Sequence, residues 1–195
     1  MKRLILPSLT GLALLSLCAC GGGSSSSSSA TTGTLSYVNP SNASGNYALV
    51  LDSAATSTNL VLDVVGPAAA TIGQGTPATG LSFGFDVDTT YAVWSTSAPF
   101  TNGTVFTDLG GGTQLDQAWV SGKTLQGIVS YKGLSNPVAD IGAGIIAKIT
   151  LTPAGAAPAS PVTVSLTDIG LGALMDNQGP PALPIQFAVG TLTCQ

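Results

Sequence analysis

Histidine and glutamate are absent from this chain of 195 residues, and its one arginine is Arg3. Without them a serine nucleophile lacks its usual base, and zinc lacks its usual nitrogen ligands. Acid–base chemistry would fall to aspartate and lysine alone. An enzyme is therefore not expected. Cationic charge is equally scarce. Beyond Lys2 and Arg3 the chain holds only Lys123, Lys132 and Lys148, against nine aspartates. So few scattered lysines cannot neutralise a phosphate backbone, which excludes nucleic acid as a partner. Helical periodicity is missing as well, because Gly and Pro interrupt the chain too often and β-branched residues cluster between them.

What is present divides sharply at the start of the chain. Lys2 and Arg3 precede an apolar run from Leu4 to Leu17, then Leu17-Cys18-Ala19-Cys20 and a Gly/Ser tract from Gly21 to Ser29. The run is shorter than the roughly 20 apolar residues a bilayer span requires. Its basic start and small-residue end are those of a signal peptide. The order resembles a bacterial lipoprotein signal, which implies cleavage after residue 19 and a lipid, such as palmitate, on Cys20. Ala19 precedes Cys20, with Leu17 three positions before it; Cys18 follows the large Leu17 and fits less well. An ordinary secretory signal is the alternative. Gly21, where Asp would imply inner-membrane retention, points to the outer membrane of the bacterial cell envelope.

On this reading residues 1–19 are the signal, 20–32 a lipidated cysteine with a flexible Gly/Ser tether, and 33–195 one folded domain. A tether of this length has an r.m.s. reach of about 20 Å. Several acyl chains, each contributing about 0.8 kcal/mol per buried CH₂, hold such a protein stably at a membrane. Cys194 is left without an intramolecular partner. It is expected to be an inert, partly covered thiol.

Disorder is not expected of the domain, since the chain is 44% apolar and poor in charge. Alternation marks its strands. Leu81, Phe83, Phe85 and Val87 oppose Ser82, Gly84 and Asp86; Ile145, Ala147, Ile149 and Leu151 oppose Ile146, Lys148 and Thr150. Val162, Val164 and Leu166 repeat the theme, as do Ile185, Phe187 and Val189. Further candidates are 35–38, 47–52, 60–65, 91–95, 105–107, 117–120 and 125–131, while 171–175 reads as a helical turn or a strand. Period-two patterning with one polar face predicts antiparallel sheets packed face to face. The expectation is an all-β sandwich of about nine to eleven strands.

The segment from Leu81 to Asp88, followed by Tyr91-Ala-Val-Trp94, resembles the cohesin pattern of an alternating strand ending in a polar corner before a second apolar strand. The Gly-rich bend at Gly142 entering the strand to Leu151, then Val162–Leu166, Asp176-Asn-Gln-Gly179 and the closing strand to Leu192, follow in cohesin order. The resemblance spans roughly residues 33–193 and implies a non-catalytic recognition module. Three functions compete. The first is a lipid-anchored module for protein binding or scaffolding. The second is a carbohydrate-binding module, with polysaccharide as partner. The third is a structural envelope component without a specific ligand.

Few motifs carry chemistry. Asp86 and Asp88 lie two apart, about 6.6 Å along a strand; they offer half a calcium site, or simply a solvated strand end. Asp176 opens an oxygen-rich turn that suits calcium or a plain Asx turn. No other cofactor is implied. Trp94 and Trp119 are candidate sugar-stacking residues if exposed and core residues if not. Ser121-Gly122-Lys123-Thr124 ends like a phosphate-binding loop, but Gln117 stands where the first glycine belongs and strands surround it. Asn42-Ala-Ser44 and Asn102-Gly-Thr104 match the glycosylation sequon, which has no weight in a bacterial lipoprotein.

Overall fold

The computed structural model describes residues 31–44, 46–67, 71–72, 76–77, 80–104, 113–132, 144–175 and 183–195. In chain order these residues form β1 (Leu35–Val38), β2 (Ala48–Leu51), β3 (Leu60–Gly66), β4 (Thr71–Ile72), β5 (Thr76–Pro77) and β6 (Gly80–Val87). There follow β7 (Ala92–Trp94), β8 (Phe100–Asn102), β9 (Thr113–Ser121), β10 (Thr124–Lys132) and β11 (Gly144–Pro153). The last are β12 (Val162–Val164), β13 (Leu166–Asp168), β14 (Ala173–Met175), β15 (Leu183–Pro184) and β16 (Thr191–Cys194). The all-β expectation holds, and the strand segments outnumber the nine to eleven expected.

The strands form two principal antiparallel sheets. One has the order β2-β3-β11-β7, with β8 also on β11; the other runs β15-β14-β6-β10-β9, with β13 also on β6. A smaller sheet, β1-β16-β12, joins the first through Ala188, whose carbonyl accepts the Leu49 N–H at 2.9 Å. The two principal sheets enclose one core, to which β6 contributes Leu81, Phe83, Phe85 and Val87, all at most 1% exposed. Across the core from them lie Leu62, Val64, Ile149 and Leu151. Aromatic rings lock the layers: Phe83 lies 6.2 Å from Phe100 of the opposite sheet, and Phe85 meets Phe187 edge-on at 5.4 Å.

Alternation identified the core faces where strands are regular and misled where they are not. Ile145 was expected inside and Ile146 outside. Instead a bulge between Ile145 and Ala147 of β11 leaves Ile146 and Ala147 both fully buried and Ile145 half-buried. One extra residue in a bulged strand reverses the facing of what precedes it. The run Val162–Leu166 is likewise two strands, for β12 pairs with β16 and β13 pairs with β6. The switch falls at Ser165, whose carbonyl accepts the Asp88 N–H at 2.8 Å. Residues 173–175 form a strand, and 105–107 lie outside the described residues. Around Ile185–Val189 only a bridge at Ala188 appears.

Candidate functional site

The outer face of the β14-β6-β10-β9 sheet carries an uncharged patch around Trp119. The register β10–β9 sets Gln126 opposite Trp119 and Ile128 opposite Gln117. Because Leu125, Gly127 and Val129 face the core, Gln126, Ile128 and their partners face outward. Trp119 is 47% exposed. From the other side, the loop after β13 lays Ile169 and Leu171 against the backbone of Gly84, where a Cβ would meet Ile169 at 3.0 Å and Leu171 at 3.1 Å. Gly84 is thus small because the loop lies on it.

Two hydrogen bonds fix that loop to β6. The Ser82 hydroxyl donates to the Leu171 carbonyl at 2.8 Å, and the Ile169 N–H donates to the Gly84 carbonyl at 3.2 Å. The Asp168 carboxylate accepts N–H donors from Gly170 at 2.9 Å and Phe187 at 2.8 Å. Gly170 adopts φ 72, a left-handed conformation that favours glycine. The result is a shallow groove of about 220 Å³ between Trp119, Gln126, Ile128, Ser82 and Leu171. Its walls offer an indole, two aliphatic chains, an amide and a hydroxyl. Such a surface offers apolar area and neutral hydrogen-bonding groups.

The two tryptophans singled out by sequence part company here. Trp94 is 2% exposed and its Nε1–H donates to the Lys123 carbonyl at 2.8 Å. It fastens β7 to the β9–β10 hairpin, so its ring is closed to a ligand. The hairpin loop is Gly122-Lys123, with Gly122 at φ 57, so the phosphate-loop-like tetrapeptide is a tight turn between paired strands. Nothing in the sequence marked Leu171 or Ile128 as site residues. The available signal was Gly84 facing outward in an otherwise filled strand, which implies a neighbour lying close upon it.

The acidic candidates have protein partners. Asp86 receives Lys123 Nζ at 2.7 Å and the Thr124 hydroxyl at 2.5 Å, and these contacts, Lys123 first, hold its carboxyl below the usual range. Asp88 accepts the Thr90 N–H at 3.0 Å, which lowers its pKa in the same sense. The two line a common concavity with Thr89, Lys123, Ser165 and Thr167. Asp176 lies outside the described residues. Among the described residues no cluster of three metal-ligating side chains occurs. Cys194 is buried and unpaired, and burial pushes its thiol pKa up.

The fold is that of solved cohesin domains. A type II cohesin domain from the cellulosome of Acetivibrio cellulolyticus superposes with TM-score 0.53 at 15% identity, over 77% of this chain and 94% of that one. A type II cohesin from the same organism, solved in a cohesin–X-dockerin complex, gives TM-score 0.51 at 12% identity, over 74% of this chain and 93% of that one. No family model matches the sequence, and no curated protein matches it. The shared property is an all-β sandwich.

Proposed function

We propose that this chain is a lipid-anchored, non-catalytic module that binds a protein partner through the outer face of the β14-β6-β10-β9 sheet. The observation that carries this reading is the outward cluster of Trp119, Ile128 and Leu171, fixed on a rigid sheet and bordered by neutral polar groups. Tryptophan is among the residues enriched at the energetic hot spots of protein interfaces. The cohesin-like fold supports it, since one of the similar structures is a complex with a dockerin partner. The anchor is Cys20, in the outer membrane of a bacterial envelope.

The interface is tested by Trp119→Ala in membrane-anchored protein, using chemical cross-linking followed by quantitative capture. The variant should retain its melting temperature and lose the captured partner by about thirtyfold, the effect of removing one anchor of about 2 kcal/mol. Equal capture by both proteins would refute the site. Trp119 also defines the second reading, a carbohydrate-binding module, because it is the tryptophan of the two that is open to a sugar ring. Polysaccharide pull-down that depends on Trp119, with no protein captured, would favour that reading instead.

The anchor has its own test. Cells fed an alkyne-bearing palmitate analogue should label the wild-type chain and Cys18→Ala equally, and Cys20→Ala not at all. Label retained in Cys20→Ala would reject the attachment site.

A further inference from the structure

The sheet opposite the groove holds an amine and two carboxyls in contact on one face. β3 and β11 are apolar strands, each interrupted by one charge, Asp63 and Lys148, and these are direct cross-strand partners. Val50 of β2 is the partner of Asp63 on the other side. Asp52 stands two residues beyond Val50, and so points to the same face. Leu62, Val64 and Ile149 point into the core, which puts all three charged side chains on the outer face. Lys148 reaches over β3: its Nζ contacts Asp52 Oδ2 and lies 3.1 Å from Asp63 Oδ1. Asp52 is 6% exposed and Asp63 8%.

We propose that Lys148 and Asp52 join in an intramolecular amide bond, with Asp63 relaying the proton. The nucleophile, the carbon it attacks and a second carboxyl are held together by three neighbouring strands. Such fixed proximity replaces a very high concentration of free amine. The two carboxyls are also unequal. Asp52 accepts the Ala54 N–H at 2.5 Å and is held low by Lys148, whereas burial pushes Asp63 up and favours its protonated form. Removing opposite charges from a poorly hydrated face favours the neutral product.

The step balances without any added reagent. The Lys148 ammonium passes one proton to the Asp52 carboxylate, an uphill transfer because their contact holds Asp52 low and Lys148 high, giving an amine beside a carboxylic acid. Protonated Asp63 donates to the Asp52 carbonyl oxygen, and the Nζ lone pair attacks Cγ to form the N–C bond. Asp63 then takes a proton from nitrogen and returns one to the departing hydroxyl. The Cγ–O bond breaks, the protonated carbonyl oxygen gives its proton back to Asp63, and water leaves through the side where Lys148 is 30% exposed. The products are one secondary amide, one water and Asp63 restored.

Tryptic mapping of the denatured full-length chain tests this. The wild type should yield a cross-linked peptide joining the Asp52 and Lys148 segments, lighter by one water than the two together, with cleavage after Lys148 lost. Asp52→Ala and Lys148→Arg should each abolish it. Asp63→Asn, which keeps shape and hydrogen bonding, should slow its appearance after synthesis by about a hundredfold, the usual contribution of a positioned acid. Wild-type protein that maps entirely as unlinked peptides overturns the bond, whether or not any variant folds. Undiminished linkage in Asp63→Asn overturns the relay.

Discussion

Phe83→Ala is expected to lower the unfolding free energy by about 3–5 kcal/mol, the range for truncating a buried phenylalanine. In a domain of this size that is a fall in melting temperature of roughly 6–20 °C. The reason is positional. Phe83 is 1% exposed and its ring neighbours Phe85 at 5.8 Å, Phe100 at 6.2 Å and Phe187 at 6.5 Å. It is therefore a ring that contacts both sheets. Directly across the ladder is Gly127 of β10, where a Cβ would lie 2.3 Å from Phe83 Cζ. The glycine is the hole into which the ring fits.

That complementarity makes the prediction sharper than a single loss. Gly127→Ala alone should cost about 1–3 kcal/mol by overpacking. Placed on Phe83→Ala, the same methyl enters the vacated space and should be neutral or stabilising. The coupling in a double-mutant cycle is the measurement, by urea or thermal unfolding followed by circular dichroism. Additive losses would show that Gly127 is not shaped by Phe83. A Phe83→Ala loss under about 1 kcal/mol would remove the ring from the centre of the core.

The same pair shows how far the sequence could be read. Leu81–Val87 announced its inner face because each residue of a regular strand alternates and one face was wholly apolar. The inner position of Gly127 carried no side chain to announce itself, so its partnership with Phe83 was invisible. Bulges defeat alternation for a related reason: nothing in Ile145-Ile146-Ala147 says which residue is the extra one. At Ser165 the alternation runs unbroken while the hydrogen-bonding partner changes sheet, because side-chain periodicity does not report on the neighbour. The site was legible only in part. Trp119 and Trp94 are equivalent as letters in strands. What separates them is that β9 lies at the end of its sheet's order, with Trp119 on the outer face, whereas Trp94 tucks its indole under the hairpin. By contrast Asp63 and Lys148, single opposite charges in two apolar runs, were a signal that a search for paired strands would have found.

Lys148→Met should produce the second large effect, and its pH dependence separates two origins of stability. In the wild type without an amide, contacts from Lys148 and the Ala54 N–H hold Asp52 below its ordinary value. Asp52 then contributes stability above its unfolded pKa, and that contribution is lost as pH falls through the folded one. Asp63 has the opposite sign: burial raises its pKa, so its contribution is present in acid and lost as pH rises through the folded value. Lys148 is itself raised, chiefly by Asp52, and stabilises at all pH values below its unfolded pKa. Methionine keeps all but the last atom of the arm and removes the charge, leaving two carboxylates face to face. At about pH 7 the electrostatic cost is roughly 2 kcal/mol. It is less than for a dry pair because the Lys148 side chain is 30% exposed. The difference should shrink as pH falls through the lowered Asp52 value and vanish below it, where both carboxyls are protonated. An amide replaces that ion pair with a link that does not titrate. Asp52 and Lys148 are 96 positions apart, and a cross-link closing a loop of that order removes about 4–5 kcal/mol of chain entropy from the unfolded state. Urea unfolding of amide-linked wild type and Lys148→Met should therefore differ by about 4–5 kcal/mol in acid, and by no less near neutrality. A gap that closes in acid would assign the whole effect to the ion pairs and reject the bond.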